Sequence, residues 1–243
     1  MIVLAALALA IAAPQAAPAV PVAALTDPVR KARALELARM LNSKAVTRIQ
    51  LDKMLGETLP TLLAADPEFK AMETDYPGIT KAMIDAMRGI VVEEVMQSLP
   101  ELWDKIGAVY AEELTVADLD AALAFFRTTA GARLVEGVGR EGDLSQLLKT
   151  MIADDDATVT EAALHSQVRT SATKAVGKLS TEDRSALINF GWSPAGAKLR
   201  TANARIMPIA TAWSNQSSPE SDAKMEKAMT DVVEKFTRTE SRK

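Results

Sequence analysis

Residues 114–134 read LTVADLDAALAFFRTTAGARL and residues 179–199 read LSTEDRSALINFGWSPAGAKL, so one pattern occurs twice, 65 positions apart. Eight of the 21 aligned positions are identical, and several others are conservative pairs. Each copy begins with a hydroxyl residue followed three positions later by Asp, which is typical of a capped helix start. An apolar stripe and then a second hydroxyl residue before Ala-Gly indicate a corner and a restarted helix. The pattern therefore predicts two helical hairpins, at residues 114–137 and 179–206.

Both copies place a glycine one turn into their second helix, Gly131 in the first and Gly196 in the second. Glycine destabilises a helix interior by about 1 kcal/mol relative to alanine, so its presence calls for a compensating contact. A glycine has no Cβ, and it therefore allows another backbone to approach closely. We expect both glycines to lie against the backbone of the preceding aromatic residue.

The rest of the chain beyond residue 26 also shows helical periodicity, and it contains no alternating strand pattern. A capping residue followed by proline predicts a helix start at three places: Asp27-Pro28, Asp66-Pro67 and Ser218-Pro219. Other patterns predict a helix over 45–64 with a kink at Pro60, a break at Tyr76-Pro-Gly78, a long helical segment over 79–113 interrupted at Pro100, and a helix over 154–176.

Composition agrees with helices throughout. Aromatic residues make up only 4% of the 243 residues and hydrophobic residues 48%, so the core consists mainly of small and aliphatic side chains. We predict an all-α fold, an array of about eight to ten helices that contains the two repeated helical hairpins. The expected organisation is a helical domain over residues 27–214, then a polar linker and a C-terminal amphipathic helix over residues 215–243.

Charge and cysteine content exclude several classes of function. The net charge is −4 and basic residues alternate with acidic ones, so the chain lacks the clustered cations that nucleic-acid binding requires. There is no cysteine, which excludes disulfides, thiolate catalysis and cysteine-based zinc sites.

Residues 1–26 carry no charged side chain. An apolar run over residues 1–13 is too short to span a bilayer but has the length of a signal-peptide core, and prolines and small residues follow it. We therefore predict a signal peptide followed by a flexible Ala/Pro-rich segment, and a periplasmic or secreted protein without an integral membrane span in the mature chain. A buried N-terminal helix is the alternative.

Residues 102–136 resemble a known bacterial family. The similarity rests on Tyr110-Ala, the acidic helix start at Asp118, the pair Phe125-Phe126 and the run Gly131-Ala-Arg-Leu134. These residues are similar to a family of domains of unknown function, family number twenty fifty-nine, whose corner reads Ser-Pro-x-Gly. The second copy, with Ser193-Pro-Ala-Gly196, matches that corner better than the first. The resemblance implies two copies of the core motif in an exported, all-helical protein of Gram-negative type, and it implies no activity.

His165 is the only histidine, and Glu161 lies four residues before it on the same helical face. A metal site usually takes three or four ligands, and neither a second histidine nor a cysteine is present to complete one. We therefore expect a surface ion pair between these two residues. The run 154–156 contains three Asp residues but does not have the ligand spacing of a calcium loop, so we interpret it as acidic stabilisation of a helix start.

Other candidate groups have structural interpretations as well. The methionine pairs could form a soft copper site, but their spacing of four favours core packing: Met83 and Met87, Met225 and Met229. The adjacent acidic pairs point in different directions around a helix, which disfavours joint catalysis: Glu93 and Glu94, Glu112 and Glu113. The serines at the two helix starts of the second copy are interpreted as caps rather than nucleophiles: Ser180 and Ser193.

No catalytic, cofactor-binding or metal-binding residue is assigned, and no cofactor is expected. The leading hypothesis is an exported, non-enzymatic helical protein that binds a protein, a peptide or an apolar small molecule in the cell envelope. One alternative is a hydrolase that uses a pair of converging carboxylates. Another is a structural or self-associating envelope protein, with the C-terminal amphipathic helix as its interface.

Overall fold

The computed structural model describes residues 27–153 and 157–240, so the predicted signal peptide and the acidic run at 154–156 lie outside the described residues. Throughout the described ranges the chain forms helices and no strand, which confirms the all-α fold. The elements in chain order are α1 (Pro28–Leu41), α2 (Lys44–Lys53), a π-helical segment (Met54–Thr58), α3 (Leu59–Ala65), α4 (Pro67–Asp75), α5 (Ile79–Glu113), α6 (Val116–Phe126), α7 (Thr129–Glu141), α8 (Ser145–Ala153), α9 (Glu161–Gly177), α10 (Thr181–Trp192), α11 (Pro194–Ser214) and α12 (Pro219–Glu240).

The predicted helix starts are confirmed by side-chain caps. The Asp27 carboxylate accepts a hydrogen bond from the Val29 amide at 2.9 Å, and Asp66 accepts from the Glu68 amide at 2.9 Å. The Ser218 hydroxyl accepts from the Ser221 amide at 3.1 Å at the start of α12. Each bond satisfies an amide that has no partner within its own helix.

A π-helical segment ends two residues before Pro60, close to the place where the sequence predicts a kink. Pro60 has no N–H to donate to the carbonyl four residues earlier, so regular α-helical bonding cannot continue there. The Leu59 amide instead donates to the carbonyl of Met54, five residues earlier. The helix thus continues from α2 to α3 with one widened turn.

Two other expectations were wrong. Pro100 does not interrupt α5, because Leu99 and Leu102 are both buried beside it and packing holds the helix together. The helix expected over 154–176 begins only at Glu161, since Thr160 caps it by accepting a hydrogen bond from the Ala163 amide at 3.2 Å. Residues 157–159, between the acidic run and Thr160, are not helical.

The two hairpins, α6–α7 and α10–α11, have matching corners. The Thr128 hydroxyl caps α7 through the Gly131 amide, and the Ser193 hydroxyl caps α11 through the Gly196 amide. A Cβ on Gly131 would lie 2.5 Å from Cα of Phe126, and one on Gly196 would lie 3.0 Å from Cα of Gly191. In both cases the nearest atom is the carbonyl oxygen of the preceding aromatic residue, which confirms the predicted close approach.

The hairpins pack against each other through equivalent residues. The rings of Phe125 and Phe190, which are 65 positions apart, stack with centroids 4.1 Å apart and planes inclined by 1°. Arg133 of the first hairpin binds Asp183 of the second at 2.8 Å. Lys198 of the second hairpin binds Asp118 of the first at 2.5 Å. The two ion pairs exchange under the same shift of 65 positions, so the contact has approximate twofold symmetry.

The symmetry extends to the helix that precedes each hairpin. Four of the five buried positions of α9 have a buried equivalent on α5, 65 residues earlier: Leu164 and Leu99, Gln167 and Leu102, Ser171 and Ile106, Ala175 and Tyr110. α9 packs against α7, and α5 correspondingly packs against α11. We call α5–α7 the first unit and α9–α11 the second unit.

Two further helices cover the first unit. α1 packs on α5 and α6, whereas α12 packs chiefly along α5. Four apolar residues of α12 are half-buried: Met225, Met229, Val232 and Phe236. Val233 on the same helix is exposed, so part of the apolar surface of α12 remains open to solvent.

Replacing the corner glycines tests the close approach. We expect Gly131→Ala and Gly196→Ala each to lower the free energy of unfolding by about 3 kcal/mol, because the added Cβ meets backbone atoms that cannot move aside. Gly89→Ala is the matched control, since a Cβ there meets nothing within 4 Å and should be neutral or stabilising. Urea unfolding of the three variants measures this, and equal stability of all three would contradict the argument.

The reciprocal ion pairs predict a pH dependence. Burial opposes the ionisation of Asp118, but hydrogen bonds from Lys198 and Thr115 outweigh it and lower its pKa. The hydrogen bond from Arg133 lowers the pKa of Asp183. A lowered pKa in the folded state stabilises the fold above the unfolded pKa of about 4, and this contribution is lost as the pH falls.

The double variant Asp118→Asn/Asp183→Asn should therefore lose less stability than the wild type between pH 7 and pH 3. Denaturant unfolding at the two pH values measures the difference. Asp104→Asn, an exposed replacement on α5, serves as the control and should keep the wild-type pH dependence. The same pH dependence in the double variant and the wild type would show that neither ion pair contributes to the pH dependence of stability.

Candidate functional site

An open cleft of about 590 Å³ lies between the π-helical segment, α3, α4 and the first turns of α5. Its apolar lining includes Leu55, Leu63 and Ile84, which are buried, and the half-buried ring of Phe69. This volume lies within the range of about 300–1,000 Å³ that is typical of small-molecule sites.

Local sequence explains why the chain opens here. The exposed Gly56 lies on the widened π-helical turn and presents no side chain to the cleft, and Pro60 lines the next turn. The chain then reverses at Asp66-Pro67 and again at the turn that ends with Gly78, whose φ of +91° favours glycine. Two reversals around short helices leave a gap that the side chains do not fill.

Glu73 joins α4 to α5 at the edge of the cleft. Its carboxylate accepts hydrogen bonds from the Gly78 amide at 2.6 Å and the Thr80 amide at 3.1 Å. These bonds, with that from Gly78 the strongest, lower the pKa of Glu73. Gly78 has no side chain to cap α5, so Glu73 performs that role from the preceding helix.

Three cations and two acids lie around the cleft. Lys81 pairs with Asp85 one turn away, and Arg88 lies 3.6 Å from the carboxylate of Asp52. Within residues 27–153 and 157–240, the ammonium group of Lys70 has no ion-pair partner. The rim therefore presents one cation that is in no ion pair, Lys70, and one carboxylate that is bound only by groups of Gly78 and Thr80, Glu73, beside an apolar floor.

The arrangement does not fit general acid catalysis by the cleft carboxylates. A carboxyl group that donates a proton near neutral pH needs a raised pKa, usually from an apolar environment. The pKa of Glu73 is lowered, and Asp85 is engaged with Lys81. The cleft presents an apolar surface bordered by charged side chains.

The sequence candidates lie elsewhere. His165 and Glu161 are both exposed on α9, and no ion pair joins them, so that expectation was wrong. The two side chains share a helical face, but exposed ion pairs in water contribute little stability, so little is gained by holding them together. In the described part of the chain, no group of three or more His, Asp or Glu residues could hold a metal ion.

The acidic pairs have structural partners. Glu112 and Glu113 both bind the guanidinium of Arg205, so the expectation that adjacent acids point apart was wrong for this pair. Arg205 lies on α11, and its long side chain reaches both carboxylates at the C-terminal end of α5. Glu93 accepts a hydrogen bond from Gln97, whereas Glu94 accepts one from the Ser218 amide.

The remaining candidates also lie in structural positions. Ser180 and Ser193 cap α10 and α11, as expected. The four methionines are half-buried on α5 and α12: Met83, Met87, Met225 and Met229.

Sequence reasoning did not find the cleft. Its apolar residues have the spacing of ordinary core positions, and nothing in the periodicity shows that part of that core is open. The available signal was Gly56 with Pro60 four residues later, since a glycine and a proline inside one helix mark an irregular turn. That signal predicted a kink and not a site.

The link through Glu73 can be tested by mutation. Glu73→Ala should lower the free energy of unfolding by about 1 kcal/mol, because two amides at the start of α5 lose their partner. Glu68→Ala is the control on the same helix, where the exposed side chain caps nothing in α5. Urea unfolding measures both variants, and an equal effect of the two would contradict the capping role.

Comparison with known proteins finds a match to one family model. No curated protein and no solved structure matches the chain. None of the described helices is long and apolar enough to cross a membrane. The sequence model of a bacterial family described as "Uncharacterized protein conserved in bacteria (DUF2059)" matches residues 100–137, the end of α5 together with α6 and most of α7. The resemblance predicted for residues 102–136 is thereby confirmed for the first hairpin.

Proposed function

We propose that this protein is an exported, non-enzymatic binding module of the cell envelope that holds the apolar chain of an anionic amphiphile in the cleft between α3, α4 and α5. The observation that carries the proposal is the combination of an apolar floor with one cation at the rim, Lys70, that is in no ion pair. Burial of apolar chain supplies affinity at about 25 cal/mol per Å². Lys70 supplies the preference for a negatively charged headgroup, since the other two cations are already paired.

Export is supported by the signal-peptide pattern over residues 1–26 and is compatible with the absence of cysteine. The matching corners and the reciprocal ion pairs support a further part of the proposal, that the hairpins are two copies of one unit. In this arrangement the two units pack against each other. The cleft lies at the first turns of α5, the first helix of the first unit.

Titration with dansyl-labelled undecanoic acid tests the proposal on the full chain. The dye should brighten on binding, and Ala64→Trp should weaken binding at least about tenfold because the indole occupies the cleft. Ala64 is exposed and lines the cleft, so the variant should fold. Ala65→Trp is the matched control, since the neighbouring exposed residue does not line the cleft and should leave binding unchanged.

The charge preference has its own control. Lys70→Gln should weaken binding of the acid, whereas Lys44→Gln, a change at an exposed site on α2, should not. Equal binding to wild type and Ala64→Trp, or no saturable binding at all, would overturn the cleft as the site. Equal binding to wild type and Lys70→Gln would overturn the anionic headgroup as the recognised feature.

A further inference from the structure

Two large apolar side chains are exposed side by side on the second unit. Ile188 and Trp192 lie four residues apart on α10, so they share one face of that helix. Their exposures are 53% and 72%, respectively, although the chain has only three tryptophans. Single exposed apolar residues are ordinary, but an adjacent pair that includes a tryptophan is typical of a contact surface.

The equivalent face of the first unit is covered. The residues 65 positions earlier are Leu123 on α6 and Arg127 just after its end, and Leu123 is only 1% exposed. The cover is α1, which packs on both α5 and α6. Arg127 forms an ion pair with Glu36 of this helix. One face of the repeated unit therefore binds a helix in the first copy.

α1 contacts the first unit through small and aliphatic side chains. Ala34, Leu37, Ala38 and Leu41 are buried and occupy positions i, i+3, i+4 and i+7 of the helix. The backbone of α1 comes so close to α5 that a Cβ on Gly107 would lie 3.2 Å from Cα of Leu35. The occupant of this face is thus an amphipathic helix with an alternating Ala and Leu stripe.

In the second unit nothing described takes this place. The helices that chiefly pack against α9 and α10 are α7 and α11, and neither covers Ile188 or Trp192. Position 172 of α9 corresponds to Gly107, and position 176 corresponds to Ala111. Ala172 and Val176 are partly buried apolar residues there, so α9 also carries apolar side chains at these equivalent positions.

A different hydrogen-bond donor in the second unit explains how its face can lack a covering helix. In the first unit, Arg30 of α1 donates from Nε to the Leu114 carbonyl at 2.6 Å. The equivalent carbonyl, that of Leu179, accepts instead from Nε of Arg184 at 3.1 Å, a residue of the second unit itself. The second unit therefore satisfies this carbonyl without a docked helix. A helix that binds this face can dissociate without leaving the carbonyl unpaired.

We infer that the face formed by Ile188 and Trp192, with Ala172 and Val176, binds an amphipathic helix of a partner protein as α1 is bound on the first unit. The partner helix presents Ala and Leu at i, i+3, i+4 and i+7. It needs no buried arginine, because Arg184 already occupies that position. Trp192 replaces the charged Arg127 of the first unit, so binding rests on apolar contact more than on ion pairs.

A peptide with the sequence of residues 27–42, DPVRKARALELARMLN, is the probe, because it carries the stripe that the equivalent face already binds. Fluorescence anisotropy of the dye-labelled peptide with the full chain should show saturable binding. The double variant Ile188→Ser/Trp192→Ser should weaken it at least about tenfold. Val233→Ser on α12, another exposed apolar site, is the control and should bind as the wild type does.

Each other outcome overturns the inference. Absence of saturable binding does so directly. Equal affinity for the double variant would show that the peptide only displaces the chain's own α1. Sedimentation velocity addresses self-association: a concentration-dependent dimer of the wild type that is lost in the double variant would identify a second copy of this chain as the occupant. Both replaced residues are exposed, and equal melting temperatures would establish that the double variant folds.

Discussion

The stacking of Phe125 on Phe190 is the contact on which the arrangement of the two units depends. The chain has only five phenylalanines, and three of them meet at this point, since Phe126 packs edge-on against both rings. The carbonyls of the two stacked residues also lie against the corner glycines, so the same two residues contribute both the ring contact and the backbone contact. Aromatic pairs of this kind stabilise by about 0.5–1.5 kcal/mol beyond their buried area. The reciprocal ion pairs on either side then fix the relative orientation of the hairpins.

Local features of the fold followed from the sequence. The caps at Asp27, Thr115 and Ser193 were predictable because each depends on residues within one turn. The contact between the units was not, because Arg133 meets Asp183 across 50 positions and no periodicity reports such a pair. The sequence repeat held half of that information: it showed which residues are equivalent, but not that equivalent residues touch one another.

The cleft and the open face on α10 were missed for a related reason. Leu63 and Ile84 have the pattern of core residues, and the geometry of two successive chain reversals decides that a space is left above them. Likewise Leu123 and Ile188 are similar residues at equivalent positions, and only the presence of α1 makes one buried and the other exposed. Burial at these positions depends on which neighbour is present, and that is not encoded in the segment itself.

The near-twofold contact between the units has a consequence for assembly. Two separate copies of such a unit would meet only at a rate and to an extent set by how much protein is present. Covalent linkage through residues 142–160 replaces that second-order encounter with a first-order one, at an effective concentration on the order of millimolar. The contact between the two units therefore forms equally well in a dilute compartment and in a crowded one. Expression level does not determine whether the two units meet.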